Sequence, residues 1–393
     1  MVKEKGRSTI AVHAGELKGI EGSVNTPIFM TSTFTFPTDD PRTWQGEVPD
    51  RTYIYSRYSN PSIRAVEDKV AALEGAERGL MFSSGMAATA TMLLGLLSKG
   101  DRIVSMEDIY GGTYNLMKND LSRFGIDVRF VPSINTEDII AQLTERTKLV
   151  WLESPNNPLL KLVDIRALAE AAHDAGALVA VDNTFASPVN QNPIALGADL
   201  VMHSCTKYLN GHSDVVAGCV VGKEETIGML LKKRITLGGN IDPFGAFLVE
   251  RGIKTLSARM RVHNENGIRI AKYLQGHDMV ERVHYPGLEA HPQHELAKRQ
   301  MRGYGGMVSF VVRGGRTGAE ETLKQMKLIT VATSLGGVES LASMPLNTSH
   351  TAFSSDERRR LGIEDGLIRL SVGIEDADDI EEDLDQALAT AQH

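Results

Sequence analysis

The chain has 393 residues, of which 42% are hydrophobic and 23% charged, and these are the fractions of an ordinary globular protein with room for two domains. Its net charge of −8, with acidic and basic residues interspersed, gives no electrostatic reason to expect nucleic acid or an anionic membrane as partner. The N-terminus lacks the apolar core of a signal peptide and no apolar run is long enough to span a bilayer, so we expect a cytoplasmic protein. The cysteines, Cys205 and Cys219, are too few for a disulfide framework and are predicted to be buried.

Three successive segments differ in pattern. Residues 1–60 combine Gly, Pro and aromatic residues with a charged insert, and they predict an extended arm that packs on another surface. Residues 61–245 alternate amphipathic stretches such as "PSIRAVEDKVAALEGA" with short apolar runs such as "KLVWLES" and "DLVMHS". This alternation is typical of an α/β fold, a mainly parallel sheet covered by helices on both faces. Residues 246–393 begin with long helices and continue with separated strands, which predicts a smaller α+β domain.

Polar residues follow several of the predicted strands, and a parallel sheet brings such strand ends to one edge, where ligands bind. Lys207 follows the apolar run of "ADLVMHSC", although most lysines are surface charges. Asp182 ends "VAVD", where a buried carboxylate needs a cationic partner or caps the next turn. Asn157 lies in the turn of "ESPNNP" and contacts a ligand or closes that turn. Gly85 and Met86 begin a helix after two serines, a place for a phosphate or for a plain serine cap.

Taken together, a phosphate-binding turn, a carboxylate, an amide and a lysine are the groups needed to hold pyridoxal 5′-phosphate. A nicotinamide-dependent oxidoreductase would share the sheet, but no G-x-G-x-x-G opens a helix after the first strand. A scaffold without activity fits poorly with so complete a set of charged residues. His291 and His294 lack a second pair of ligands, so they are predicted to be surface histidines and no metal is expected.

The motifs resemble those of the Cys/Met-metabolism family of pyridoxal-phosphate enzymes, which includes cystathionine γ-synthases, cystathionine γ-lyases and methionine γ-lyases. "SCTKYLNGHSD" is similar to the family's lysine motif, "YSRYSNP" to its arm motif, "SSGMAA" to its phosphate turn and "AVDNTFASP" to its aspartate motif. "SLGGVESL" and "LIRLSVGIED" are similar to its C-terminal motifs, so the resemblance covers essentially the whole chain. It implies the aspartate aminotransferase-like fold of fold type I transferases, with an N-terminal arm and a smaller C-terminal domain.

The resemblance also implies roles for individual residues. Lys207 would hold the cofactor covalently, Asp182 would pair with its ring nitrogen and Tyr110 would stack on its ring. The implied catalytic residues are Lys207, Tyr110 and Tyr55; the cofactor ligands are Gly85, Met86, Tyr110, Asn157, Asp182, Ser204, Thr206, Lys207, Tyr55 and Arg57; the substrate ligands are Arg369, Ser334, Leu335 and Glu339. Tyr55 and Arg57 would reach the phosphate of a neighbouring subunit, in a tetramer built from dimers with shared active sites.

The implied reaction is γ-elimination or γ-replacement on cystathionine or another γ-substituted amino acid, as in trans-sulfuration. Gly112 stands where methionine γ-lyases have a cysteine, which argues against methionine as the main substrate. Glu339 resembles the acidic residue near the distal amino group of cystathionine, or it is an ordinary solvated glutamate. The segments "RTWQGEVPDR" and "NTSH" depart from the family pattern, so lyase and synthase both stay open. Methionine γ-lyase, cystathionine β-lyase and O-acylhomoserine sulfhydrylase are the alternatives.

Overall fold

A seven-stranded sheet carries the larger part of the fold. The structure, a computed structural model, describes residues 5–39, 50–132, 134–348, 351 and 353–389. The strands are β1 (Arg78–Phe82), β2 (Arg102–Met106), β3 (Asp127–Val131), β4 (Thr147–Glu153), β5 (Leu178–Asp182), β6 (Leu200–Ser204) and β7 (Gly218–Gly222). They lie in the order β1-β7-β6-β5-β4-β2-β3, and every neighbouring pair is parallel except the two that involve β7. The predicted mainly parallel sheet is confirmed.

Helices cover both faces of this sheet. In chain order the helices are α1 (Arg7–His13), α2 (Pro61–Glu74), α3 (Gly85–Leu96), α4 (Gly111–Asn115), α5 (Thr136–Ile140), α6 (Ile165–Asp174), α7 (Ser187–Asn190), α8 (Glu224–Leu237), α9 (Pro243–Lys254), α10 (Leu256–Gln275), α11 (His294–Gln300), α12 (Gly315–Gln325), α13 (Ser355–Leu361) and α14 (Ala377–Ala389). Because side chains alternate along a strand, Leu80 and Phe82 of β1 join a core with α3 and α6, whereas Met81 joins a second core with α2, α9 and α10.

A second, five-stranded sheet follows later in the chain. Its strands are β8 (Val280–His284), β9 (Met307–Val312), β10 (Thr330–Val331), β11 (Leu341–Ser343) and β12 (Leu367–Ser371). Their order is β10-β11-β12-β9-β8, antiparallel except for the β10–β11 pair. Apolar residues of α10, α12 and α14 cover it. Residue 245, the predicted domain boundary, lies inside α9, and the domain boundaries stay a prediction.

The arm differs from its prediction at its start. Residues 7–13 form α1, which packs on α2 because the buried Lys69 of α2 donates through Nζ to the carbonyls of Ala11 and Val12, both at 3.0 Å. Further along, Val24 is 84% exposed and Met30 is 69% exposed, so this part leaves apolar side chains uncovered within the chain. Most of the charged insert lies outside the described residues.

Two smaller predictions have different outcomes. Cys205 and Cys219 are buried free thiols, as expected. His291 is not a surface residue: it is 7% exposed, and its Nδ1 accepts the amide of Gln293 at 3.2 Å, which makes it part of a turn rather than a solvated side chain. Among the described residues no group of three or more His, Cys, Asp or Glu could hold a metal ion. No helix in the same residues is long and apolar enough to cross a membrane.

Candidate active site

A pocket of about 400 Å³ lies at the carboxyl ends of β4, β5 and β6 and extends to the second sheet. Most of the residues singled out in the sequence line it: Gly85, Met86, Tyr110, Asn157, Asp182, Ser204, Thr206, Lys207, Ser334, Leu335 and Arg369. The structure therefore brings together residues that are up to 284 positions apart, from Gly85 to Arg369. Their individual roles stay predictions.

One end of the pocket is the start of α3. Ser84 caps this helix by accepting the Ala87 amide at 3.0 Å, so its first turn presents the positive end of the helix dipole. A Cβ on Gly85 would lie 3.1 Å from the Cβ of Ser204, which shows how closely the helix start approaches β6. The hydroxyl-bearing Thr206 lines the same pocket. Amides, a helix dipole and hydroxyl groups together suit a phosphate.

Lys207 lies in the wall of the pocket, and its Nζ donates to Ser334 Oγ at 2.7 Å. Ser334 is a non-glycine residue with a φ of 80°, and this left-handed conformation is found at the point where the second sheet meets the lysine. Burial, and then the nearby charge of Arg369, lowers the pKa of Lys207 from 10.5 to about 8. The neutral, nucleophilic form of the amine is therefore reached at a pH closer to neutrality than for an ordinary lysine.

This lowered pKa predicts how the apoenzyme captures pyridoxal 5′-phosphate. The rate of capture, followed by visible absorption, should rise with pH and level off above about 8, because only the neutral amine attacks the aldehyde. In Arg369→Met the cation that helps to lower the pKa of Lys207 is absent, so the midpoint of the rise in capture rate should move to higher pH. An unchanged midpoint would show that Arg369 does not act on the lysine. Arg313→Met, a change at an exposed arginine, serves as the control.

Arg369 of β12 is 5% exposed, and its guanidinium has neutral partners. It donates through Nη1 to Asn157 Oδ1 at 3.2 Å and through Nη2 to the Ser334 carbonyl at 3.0 Å and to Ser343 Oγ at 3.4 Å. The described residues give it no carboxylate partner. A buried, uncompensated guanidinium that lines a pocket is suited to bind a carboxylate ligand.

Two carboxyl groups lie side by side at the strand ends. Asp182 and Glu153 are register partners on β5 and β4, and both are buried and line the pocket. Burial raises the pKa of Asp182, while hydrogen bonds from Thr184 lower it, and one of them is the Thr184 amide at 3.0 Å. Asp182 thus caps a turn, one of the two interpretations of its sequence position, and it also lines the pocket, where pairing with a cationic ligand stays a prediction. Glu153 was missed, although it ends an apolar strand just as Asp182 does.

Three predicted residues do not line the pocket of their own chain. Arg57 donates to the carbonyl of Ile235 at 2.7 Å, and its guanidinium lies 5.5 Å from the ring centre of Tyr55. Glu339 accepts a hydrogen bond from the Ser213 hydroxyl, so it is not a freely solvated glutamate. The other pocket residues that were not predicted are Ser84, Glu153, Thr184, Phe185, Met202, Val216, Thr333 and Thr348.

The residues present fit pyridoxal 5′-phosphate. The helix start suits the phosphate, the buried carboxyl of Asp182 suits a protonated ring nitrogen, and the amine of Lys207 suits the aldehyde. Tyr110 supplies an aromatic face in the same pocket. A fold with a large, mainly parallel sheet, a smaller second sheet and this pocket defines the class of fold type I pyridoxal-phosphate enzymes.

Comparison with known proteins places the chain within that class. A sequence model described as "Cys/Met metabolism PLP-dependent enzyme" matches residues 8–389, and the chain belongs to this family. It is 43% identical to an L-methionine gamma-lyase of Fusobacterium nucleatum, over 98% of this chain and 99% of the relative. It is 45% identical to a cystathionine gamma-lyase of Dictyostelium discoideum, over 97% of each chain. The crystal structure of metB from Corynebacterium glutamicum superposes with a TM-score of 0.93 at 42% identity, covering 98% of both chains.

Proposed function

We propose that this protein is a trans-sulfuration enzyme that acts on cystathionine, or a similar γ-substituted amino acid, by γ-elimination or γ-replacement. The observation that carries the proposal is the buried Arg369, whose guanidinium has only neutral partners among the described residues and lies beside the Lys207 amine. An α-amino acid brings the carboxylate that the guanidinium lacks, and it places its α-carbon near the lysine.

The bound cofactor supplies an electron sink that stabilises negative charge on the carbon next to the substrate nitrogen. Lys207 takes the α-proton, and its hydrogen bond to Ser334 orients the amine within the pocket. Asp182 keeps the ring nitrogen protonated, and Arg369 holds the substrate carboxylate by a charge-assisted contact. Removal of a β-proton then lets the γ-substituent leave as the thiol of cysteine, and water replaces the nitrogen of the remaining fragment. Cystathionine and water thus give cysteine, 2-oxobutanoate and ammonia.

Gly112 supports cystathionine over methionine. A Cβ at this position would lie 2.6 Å from Cε1 of Tyr110 and 3.1 Å from Sδ of Met86. The cysteine that methionine γ-lyases carry here would therefore displace the Tyr110 ring. Relatives named for methionine and for cystathionine are 43% and 45% identical to this chain, so overall identity does not choose between them.

The test is a product assay of the purified protein with equal concentrations of cystathionine, methionine, homocysteine, and O-acylhomoserine plus cysteine. We expect cystathionine to give the highest kcat/KM, with cysteine and 2-oxobutanoate as products. Pyruvate and homocysteine as products would identify a β-lyase. A higher kcat/KM for methionine would contradict the substrate proposal while leaving the enzyme class intact.

Glu339 provides a second test of the same proposal. Glu339→Gln keeps the size of the side chain but removes the charge that complements a distal ammonium group, so kcat/KM for cystathionine should fall by about tenfold. Substrates without a distal amino group should change little, which makes O-acylhomoserine the internal control. Equal losses for both substrates would indicate that Glu339 acts only through its bond with Ser213.

We also propose that the site is completed by a second copy of the chain, in a homo-oligomer. The uncovered apolar residues of the arm, Val24 and Met30, support an interface, and Arg57 lies outside its own pocket. Arginine suits a phosphate because its fork binds two oxygens at once.

A further inference from the structure

Glu153 makes an unusual pair of contacts at the end of β4. Glu153 is 4% exposed, and its carboxyl group accepts hydrogen bonds from two backbone amides, that of Tyr110 on Oε2 at 2.8 Å and that of Asn157 on Oε1 at 2.9 Å. The two amides belong to different loops, one after β2 and one after β4. A single side chain therefore ties together two loops of the active-site pocket.

Both loops carry residues of the pocket. The Tyr110 ring rests against the backbone at Gly112, where no side chain intervenes, so its position depends on where the start of α4 lies. Asn157 accepts the guanidinium of Arg369 through Oδ1 at 3.2 Å, and Arg369 also contacts the Ser334 carbonyl. The contacts of Glu153 thus extend to the aromatic face on one side and to the buried guanidinium on the other.

A carboxyl group is the side chain that can make both contacts. The two amides bond to different oxygens, Oε2 and Oε1, and a glutamine of the same shape offers an acceptor at one of these positions and a donor group at the other. Burial and the neighbouring charge of Asp182 raise the pKa of Glu153, while its two amide bonds oppose this. Placing a carboxyl group beside Asp182 in a buried site is costly, and a glutamine would avoid that cost if packing were the only requirement.

We propose that Glu153 is a positioning residue that sets Tyr110 and Asn157 together, and through Asn157 the direction of Arg369. It touches the backbone of the two loops rather than acting on the reacting atoms. This inference rests on the pocket being the active site, as in the proposed function, but not on which amino acid is the substrate.

The first experiment needs neither cofactor nor substrate. The chain has nine tyrosines, so selective ¹⁵N-tyrosine labelling of the apoenzyme gives few amide signals, and Tyr110→Phe assigns the one of interest. In Glu153→Gln, hydrogen exchange of the Tyr110 amide should accelerate by at least about tenfold, since its acceptor is lost or shared. An unchanged exchange rate overturns the proposal.

A matched control separates positioning from stability. Asp199 also accepts a buried strand amide, that of Val179 at 2.8 Å, but at the opposite edge of the same sheet. Asp199→Asn should lower the melting temperature without changing the exchange of the Tyr110 amide or kcat/KM. If Asp199→Asn changes the Tyr110 amide exchange and kcat/KM as much as Glu153→Gln does, the losses in Glu153→Gln come from general destabilisation and the proposal fails.

Kinetics then test whether Glu153 affects catalysis through Tyr110. Glu153→Gln should lower kcat/KM by about 10- to 100-fold, because displacements near 1 Å are enough to cause such losses. In a Tyr110→Ala background the same change should cost at least about threefold less, since one of the two positioned groups is already gone. Equal losses in both backgrounds contradict the proposal. Glu153→Asp retains both oxygens on a shorter side chain, so its Tyr110 amide exchange rate and its kcat/KM should lie between those of the unchanged protein and those of Glu153→Gln. A kcat/KM below that of Glu153→Gln would also overturn the proposal.

Should no tested amino acid be turned over, the proposed function fails while the exchange result still decides the role of Glu153. Should cystathionine be turned over normally by Glu153→Gln, the positioning role fails while the proposed function stands.

Discussion

Lys207→Ala should lower turnover by at least about a thousandfold, because the same amine holds the cofactor and moves the substrate's proton. The visible absorption band of the bound cofactor should be lost or strongly shifted. The fold should survive, since the Nζ atom donates one hydrogen bond, to Ser334, within the described residues, and the strand that precedes Lys207 is held by its own buried side chains. Circular dichroism in the far ultraviolet and the melting temperature report on this.

Lys69 offers a matched control for that variant. It is also a buried lysine whose pKa is lowered to about 8 by burial, but its Nζ donates to two carbonyls of α1 rather than lining the pocket. Lys69→Met should destabilise the attachment of α1 and leave the absorption band in place. If Lys69→Met loses the band and Lys207→Ala keeps it, the lysine that binds the cofactor has been assigned incorrectly.

The second large effect is recovery of activity by mixing two inactive variants. Lys207→Ala and Arg57→Ala should each be nearly inactive, yet regain activity when they are unfolded and refolded together. In a two-fold dimer with shared sites, each site takes its lysine from one chain and its arginine from the other. A mixed dimer then has one site with both defects and one with none. Random mixing gives about a quarter intact sites.

The pocket provides the control for this experiment as well. Lys207 and Arg369 line the same pocket within one chain, so a mixture of Lys207→Ala and Arg369→Ala should recover nothing. Mass spectrometry of the native oligomers confirms that the subunits have exchanged. If the Arg57 mixture shows only the sum of the residual activities, Arg57 serves its own chain or no site at all.

The large sheet and its helices could be predicted because their signals are local. An apolar run such as β5 and an amphipathic stretch such as α2 each show their periodicity within a few residues. Lys207, Asp182 and Asn157 could be grouped because parallel strands end at one edge. Glu153 carries the same signal, and it was missed only because the turn after it contains the more conspicuous Asn157.

Other features depend on contacts between distant segments. The burial of Arg369 requires the second sheet to pack against the ends of β4 and β6, so no local pattern distinguishes it from a surface arginine. Ser334 combines a left-handed backbone with contacts to Lys207 and Arg369, and a serine gives no local sign of either. The same holds for the packing of α1, which depends on a lysine 58 residues beyond Ala11.

Residues from both sheets line the pocket, and the predicted cofactor ligands and the predicted substrate ligands belong to different sheets. The predicted cofactor ligands Asp182 and Lys207 belong to the large sheet and its strand ends, whereas the predicted substrate ligands Arg369 and Ser334 belong to the small sheet and its loops. Substitutions in the second sheet should therefore change how the amino acid is bound while the predicted cofactor ligands are retained. Such modularity gives a physical reason why relatives of nearly equal similarity carry the names of different lyases.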